Sequence, residues 1–420
     1  MNMKEYSDHV WHSFLVGIKW ILFGALCGIV IGAVAAAFAN AIVLATAFRT
    51  AHGKIILLLP VAGLFIVLYY RALGAKQPKG TNLVLSAIRE GDQIPVRMAP
   101  LIILSTVVTH LFGGSVGREG AALQVGGSLG EAIGKLLHFK KEERPRVIMC
   151  GMSAAFSALF GTPLAAAVLP MEISTVGILY DAALVPCVVS ALTAHFTAEA
   201  LGASESVLTL GNVVEFTPLT AVITLAFAAL CGPVSVLFCK AMHESKHFMT
   251  KHFENPYVRV FVSGVIVVIL TALVGSQTYN GTGAAIIDAC INDPAFQISS
   301  AAFLLKILFT AVTLSGGFQG GEIVPSLFIG ATFGHAFALF IGGDPALFSA
   351  IGMACVFCGV TNCPIASLLI SCEMFGFGGS SFYLIAIAIT YLFSGNFGLY
   401  SAQKILHSKF EPGRIDEYTH

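Results

Sequence analysis

Long apolar runs alternate with short polar segments along the whole of the 420-residue chain. The longest apolar runs cover residues 20–48, 55–70, 219–238 and 260–274. They approach or exceed the roughly 20 apolar residues that a helix needs to cross a bilayer. Because hydrocarbon offers the backbone no hydrogen-bond partners, each run is predicted to be a helix that pairs its own backbone groups. We therefore predict an all-α protein that crosses the membrane several times.

The composition agrees with this and excludes a soluble protein. Charged residues make up 11% of the chain, against roughly 25% in soluble domains, and hydrophobic residues make up 56%. The mean hydropathy is +0.84. Since the formal net charge is zero, no nucleic acid or other polyanion is expected as a partner. Residues 1–13 contain no small-residue cleavage site, which favours a first helix that is retained over a signal peptide that is removed.

Lysines and arginines gather in four polar segments, at residues 76–97, 135–146, 240–259 and 404–414. By the positive-inside rule these segments and the C-terminus are expected to face the cytoplasm, with the protein in the inner (plasma) membrane. His243 and His247 fall in the third segment, which we interpret as a solvated loop rather than a metal site. Neither a metal nor a cofactor is expected.

The two halves of the chain resemble each other. Residues 151–172 align with residues 352–373 without a gap, and glycine, proline and glutamate positions coincide. Chance similarity between apolar helices is the alternative, but composition alone would not align all three residue types. We predict two related membrane repeats, residues 1–210 and 211–420, with a site between them. The chain ends soon after its last apolar run, so no appended cytosolic regulatory domain is expected.

A second pair of matched segments is rich in glycine. GGSVGREG (residues 113–120) lies over GGFQGGEI (residues 316–323), which places Glu119 opposite Glu322. Glycine lets backbone N–H groups approach an ion closely, and a helix start adds roughly half a positive charge. Each segment opens an apolar helix, so the two helix N-termini can face one anion from opposite sides.

Glu119 is a carboxylate beside a loop suited to anions. Unprotonated, it can occupy the place of the anion; protonated, it leaves, which links anion and proton binding. A purely structural pairing with Arg118 is the alternative. Glu322 is predicted to handle ions or protons, with a carboxylate that only favours the helix dipole as its alternative.

Three further residues lie at the starts of predicted helical pieces. Thr81 and Asn82 begin an apolar stretch and, taken alone, are typical of a helix N-cap. Tyr400, within FGLYSAQKI at the start of the last predicted helical piece, is typical of a tyrosine at the membrane interface.

Together, GGSVGREG, GGFQGGEIVP and LYSA, in this order and spacing, resemble the CLC superfamily of chloride channels and anion/proton antiporters. The resemblance covers residues 20–408 and implies tilted and broken helices in two inverted halves. It also implies a homodimer with an anion pathway within each subunit.

Residue by residue, the resemblance assigns roles in the anion pathway. It makes Glu119 the external gating glutamate, Thr81 the counterpart of the pore serine, and Tyr400 the pore tyrosine, with Asn82 beside Thr81. The backbone N–H groups of four residues would face the anions: Arg118 and Gly120 at an external site, and Glu322 and Ile323 at a central site.

The chain also departs from the chloride antiporters. Glu172 is followed by Ile173 where those proteins carry an internal proton glutamate, and the segment before Pro325 is GGEIV. Both features are similar to the fluoride-specific branch of the superfamily. We therefore expect a fluoride/proton antiporter that exports fluoride. A chloride/proton antiporter or a passive chloride channel is the alternative, and an enzyme is not expected, because no Ser/His or metal-ligand set accompanies the glutamates.

Overall fold

The computed structural model describes residues 3–75, 80–203, 208, 210–211, 213–410 and 413–420. Within these residues the first half of the chain forms eight α-helices: α1 Met3–Ala51, α2 Leu59–Ala72, α3 Thr81–Glu90, α4 Met98–Leu111, α5 Glu119–Leu136, α6 Arg144–Phe160, α7 Pro163–Ile173 and α8 Leu184–Ala200. The second half forms eight more: α9 Pro218–His252, α10 Pro256–Val274, α11 Ala284–Asn292, α12 Ala302–Gly316, α13 Ile323–Ile341, α14 Pro345–Thr361, α15 Pro364–Phe375 and α16 Ser380–Phe393.

Short elements connect the helices. The described residues contain four 3-10 helices, at Gly53–Leu58, Lys141–Glu143, Asp181–Ala183 and Phe377–Gly379. They also contain three strands, β1 Thr175–Val176, β2 Lys404–His407 and β3 Arg414–Tyr418. Strand β2 lies in the middle of this sheet, parallel to β1 and antiparallel to β3. The predicted helical fold is confirmed, with this small sheet as an addition.

Six helical segments are long and apolar enough to cross a membrane. They are Glu5–Ala51, Gly53–Ala72, Asp181–Ala200, Pro218–His252, Pro256–Val274 and Ile323–Ile341. Other apolar helices are shorter; α14, for example, has 17 residues and is buried along almost its whole length. A helix too short to cross the bilayer is stable at membrane depth where protein surrounds it, and α14 meets this condition.

Glycines bring pairs of helices into backbone contact at matched positions of the two halves. A Cβ atom added at Gly151 of α6 would lie 2.1 Å from the carbonyl oxygen of Gly126 of α5. In the second half, a Cβ atom at Gly352 of α14 would lie 2.2 Å from the carbonyl oxygen of Gly330 of α13. No side chain fits at these contacts, so the recurrence of Gly151 and Gly352 in the sequence has a packing cause.

The final glutamates of the repeated segments cap each other's helices. The carboxylate of Glu172 accepts hydrogen bonds from the N–H groups of Ile365 and Ala366, at 3.0 and 2.8 Å, at the start of α15. The carboxylate of Glu373 accepts hydrogen bonds from the first turn of α7 at 2.8 and 2.9 Å. Each half thereby supplies the acceptor that the other half's helix start lacks.

Two local expectations from the sequence are wrong. His243 and His247 do not lie in a solvated loop, because α9 continues as a single helix to His252. Tyr400 does not begin a final helical piece; a turn and strand β2 follow it. The reason is tertiary: the Gln403 side chain donates to the carbonyl oxygens of Ile173 and Thr361, which ties this segment to the helix ends around it.

We expect Gly151→Ala to destabilise the protein. The added methyl group would collide with the Gly126 carbonyl and force α5 and α6 apart, at a cost of about 1–3 kcal/mol. Thermal unfolding of the detergent-solubilised protein measures this as a lower Tm. Gly17→Ala is the control, since nothing lies within 4 Å of a Cβ atom at that position. Equal Tm values for the two variants would contradict the packing argument.

Candidate functional site

The two glycine-rich segments meet in the interior of the protein. Gly117 and Gly321 exchange a pair of backbone hydrogen bonds, at 2.6 and 2.7 Å, as an isolated antiparallel bridge. Helix α5 begins two residues after Gly117 and α13 begins two residues after Gly321. A Cβ atom at Gly321 would lie 2.5 Å from the backbone nitrogen of Gly120, so only glycine permits this approach. The two helix N-termini therefore lie together, as the sequence predicted.

Glu119 folds back over the start of its own helix. Its side chain is 2% exposed, and its Oε2 atom accepts a hydrogen bond from the backbone N–H of Arg118 at 3.0 Å. Its Oε1 atom lies 3.3 Å from Nε of Arg118. The carboxylate thus accepts from the Arg118 backbone N–H, the donor that the CLC resemblance assigned to an external anion. The ion pair with Arg118, which was the alternative interpretation of Glu119, is present.

A second group of polar side chains lies around Gly120. An oxygen of the Glu322 carboxyl lies 3.2 Å from the point where a Cβ atom of Gly120 would be. The Thr81 hydroxyl is 3.5 Å from the carbonyl oxygen of Gly120. Tyr400 is 1% exposed, and its hydroxyl faces Glu322 without a hydrogen bond of good geometry to any described residue. Tyr400 is therefore an interior residue, and its interpretation as a tyrosine of the membrane interface is wrong.

Thr81 and Asn82 do not cap helix α3. Thr81 is its first residue, and the N-cap position belongs to Gly80, which has a φ of +63° and no side chain to offer. Asn82 instead accepts a hydrogen bond from the backbone N–H of Ala402 at 2.9 Å through Oδ1. This bond ties α3 to the segment that carries Tyr400. The side-chain amide nitrogen of Asn82 is a donor that this bond leaves unused.

Two cavities approach the loop junction. A cavity of about 420 Å³, here named the Tyr400 cavity, is lined by Tyr400 together with Thr81, Asn82, Glu322 and residues of α9. A cavity of about 450 Å³, here named the Glu119 cavity, is lined by Arg118, Glu119 and residues of α1 and α11. Glu322 lines the Tyr400 cavity, and Glu119 and Asp288 line the Glu119 cavity. The paired backbones of the two glycine-rich segments lie where the cavities approach each other.

The sequence interpretation missed Gln124. This side chain is 5% exposed, lines the Tyr400 cavity, and donates a hydrogen bond from Nε2 to the carbonyl oxygen of Gly120 at 3.2 Å. Its Oε1 atom is buried and has no partner among the described residues. The available signal was a polar amide inside an apolar helix, one turn after Gly120. Such residues are costly in a membrane and mark functional paths.

Comparison with known proteins identifies the family. The family model for the voltage gated chloride channel matches residues 62–395. The chain belongs to the CLC family. The prediction from the three motifs is confirmed, and because CLC proteins are ion channels or transporters, so is the prediction that the chain is not an enzyme.

Individual relatives of this CLC protein extend over most of its length. It is 34% identical over 395 residues to a chloride/fluoride channel protein of Pseudomonas syringae pv. tomato, which covers 93% of this chain and 87% of the relative. The voltage-gated ClC-type chloride channel ClcB of Salmonella typhimurium is 27% identical over 319 residues, or 73% of this chain and 75% of that protein.

The fold of this CLC protein matches solved structures. The crystal structure of a CLC-type fluoride/proton antiporter superposes with a TM-score of 0.89 at 32% identity, covering 92% of this chain and 98% of that one. A slow cyanobacterial Cl⁻/H⁺ antiporter has a TM-score of 0.77 at 17% identity, covering 90% and 94%, and shows the same fold. The protein is therefore a multi-pass membrane protein of CLC architecture.

Tyr400→Phe should leave stability nearly unchanged and weaken transport. Since the Tyr400 hydroxyl makes no hydrogen bond of good geometry to a described residue, its loss should alter the free energy of unfolding by about 1 kcal/mol or less. If the hydroxyl binds the anion, initial flux at limiting anion concentration should fall. Tyr383→Phe is the matched control: its hydroxyl is also buried without a partner among the described residues, outside both cavities. Equal flux in both variants would remove the Tyr400 hydroxyl from the pathway.

Proposed function

We propose that this CLC protein is a secondary active transporter that exports fluoride in exchange for protons, with Glu119 as its gate. The observation that carries the proposal is the position of the Glu119 carboxylate, which holds the Arg118 amide at the junction of two helix N-termini. A relative named a chloride/fluoride channel protein and a similar structure of a fluoride/proton antiporter support fluoride as the substrate.

Competition for one set of donors couples the anion to the proton. While Glu119 is ionised, its carboxylate occupies the donors at the start of α5 and excludes an anion. When a proton neutralises it, the carboxyl group loses its attraction for the helix start and an anion can take its place. Glu322 lines the opposite cavity and would handle the proton there, because Ile173 stands where an internal proton glutamate would be.

Fluoride needs donors that replace its hydration shell. It is small and strongly hydrated, so a selective pathway must supply several strong hydrogen bonds. The hydroxyls of Thr81 and Tyr400 converge near Glu322, and the backbone N–H groups of Glu322 and Ile323 begin α13 beside them. The corresponding groups of Arg118 and Gly120 would serve the external site.

The remaining predictions belong to the same proposal. We infer that residues 1–210 and 211–420 are inverted repeats, which the reciprocal caps of Glu172 and Glu373 support. The Tyr400 cavity lies among the lysine- and arginine-rich segments, so it would open to the cytoplasm and the Glu119 cavity to the outside. A homodimer in the inner (plasma) membrane is the expected form.

A chloride/proton antiporter or a passive chloride channel is the second candidate, favoured by the similarity to the channel ClcB. Proteoliposomes loaded with fluoride or chloride, with external pH recorded, separate the possibilities. The proposal requires fluoride efflux that persists in excess chloride and is accompanied by proton uptake. Efflux of either anion without proton movement would indicate a channel, and proton-coupled efflux of chloride would indicate a chloride antiporter.

Glu119→Gln should abolish proton coupling while anion passage persists or slows. Glutamine keeps the size of the side chain but neither ionises nor carries a proton, so anion flux should no longer move protons. Fluoride and pH electrodes on one proteoliposome sample measure both fluxes. Glu199→Gln, an exposed substitution at the end of α8, is the control. Proton uptake at the wild-type rate in Glu119→Gln would exclude Glu119 from the mechanism.

Thr81→Ala should change anion selectivity more than stability. The Thr81 hydroxyl is a weak structural contact, 3.5 Å from the Gly120 carbonyl oxygen, but it lines the Tyr400 cavity. Its loss should lower the ratio of fluoride to chloride flux by about tenfold if it contributes one strong hydrogen bond to fluoride. Thr81→Ser retains the hydroxyl and should retain the ratio. An unchanged ratio in Thr81→Ala would assign selectivity to other donors.

A further inference from the structure

Arg259 is a buried arginine at the wall of the Tyr400 cavity. It lies in the first turn of α10 and is 6% exposed. Its Nε atom is buried without a hydrogen bond, and the guanidinium group makes no hydrogen bond or ion pair within the described part of the chain. A structural arginine would be expected to bond carbonyl or carboxylate oxygens.

The Arg259 side chain lines two cavities. The side chain lines the Tyr400 cavity next to Gly317 and Gln319, which belong to the segment that leads to Glu322. The same three residues also line an adjoining cavity of about 470 Å³. Arg259 thus lines both cavities. Thr81 and Tyr400 line the first of them, the Tyr400 cavity.

A second cation faces the same space from another helix. Lys246 of α9 lines the Tyr400 cavity and is exposed, and His243 and His247 flank it on the same helix. Glu322 is the carboxyl group that lines this cavity. Two fixed positive charges in a cleft with low-dielectric walls focus the field and raise the local concentration of anions.

We propose that Arg259 and Lys246 form an anion-loading site in the Tyr400 cavity, separate from the gate at Glu119. The site takes a small inorganic anion, and fluoride is its substrate if the proposed function, on which this inference rests, is correct. A guanidinium group suits this step because it is weakly hydrated and presents a planar set of N–H donors. The anion is held there with part of its water shell before it moves to the hydroxyls of Thr81 and Tyr400.

The loading site predicts a specific kinetic change. Arg259→Gln should raise the fluoride concentration for half-maximal transport by about tenfold, the loss of one charge-assisted hydrogen bond. The maximal rate and the ratio of protons to fluoride should stay as in the wild type, because the gate is intact. Initial fluoride fluxes from proteoliposomes, measured over a range of loaded fluoride concentrations with pH recorded, give all three quantities.

Matched variants separate binding from folding. Arg259→Lys keeps the charge but loses the planar set of donors, so it should recover part of the affinity. Lys246→Gln removes the exposed cation of the site, so it tests the proposal even if Arg259→Gln fails to fold. Lys251→Gln is the control: it removes an exposed lysine from the same helix that does not line the cavity. Raising the ionic strength with gluconate, an anion too large for the pathway, should shrink the difference between wild type and Lys246→Gln.

The outcomes distinguish this inference from the proposed function. If wild-type protein transports fluoride and neither Arg259→Gln nor Lys246→Gln changes the half-maximal concentration, the loading site is refuted while the function stands. If the wild type moves chloride rather than fluoride, the proposed substrate is wrong. The same comparison made with chloride then supports the site if the half-maximal concentration rises, and overturns it if the concentration does not.

Discussion

Two helix starts meet at a bridge made only of glycine backbone, and the organisation of the protein follows from that contact. Helices α5 and α13 both begin beside the paired residues Gly117 and Gly321. The first amides of a helix have no partner in their own helix, and hydrocarbon supplies none. Bringing two such ends together concentrates unsatisfied donors at one point in the interior, which makes that point attractive to anions and to carboxylates.

The surrounding helices hold this junction in place through contacts that occur in matched pairs. Glu172 caps the start of α15 and Glu373 caps the start of α7. Glycine contacts join α5 to α6 and α13 to α14. Each is a polar or backbone contact in a low-dielectric interior, where hydrogen bonds are strong and unpaired groups are costly. Short helices can therefore end at membrane depth without exposing their ends to lipid.

Anion attraction comes from local charge placement, since the formal net charge of the chain is zero. On the side of the Glu119 cavity, Arg118 lines the space and its Nε atom lies 3.3 Å from Oε1 of Glu119. On the side of the Tyr400 cavity, Arg259 and Lys246 supply positive charge. Cations thus line both cavities that approach the junction, where the proposed function has Glu119 and Glu322 compete with the transported ion.

The sequence by itself determined the membrane class, the family and the residues of the junction. The length of an apolar run indicates a membrane helix without any tertiary information. The glycine-rich segments GGSVGREG and GGFQGGEI each precede an apolar run, and this local pattern locates the two helix starts. Only the tertiary structure decided how Asn82, Gln124 and Arg259 are used. Their contacts are with residues distant in the chain. Asn82 accepts a hydrogen bond from the backbone N–H of Ala402, and Arg259 lines a cavity formed by several helices. No local pattern distinguishes a buried arginine facing a cavity from one at a helix end, because burial is a property of the assembled helices.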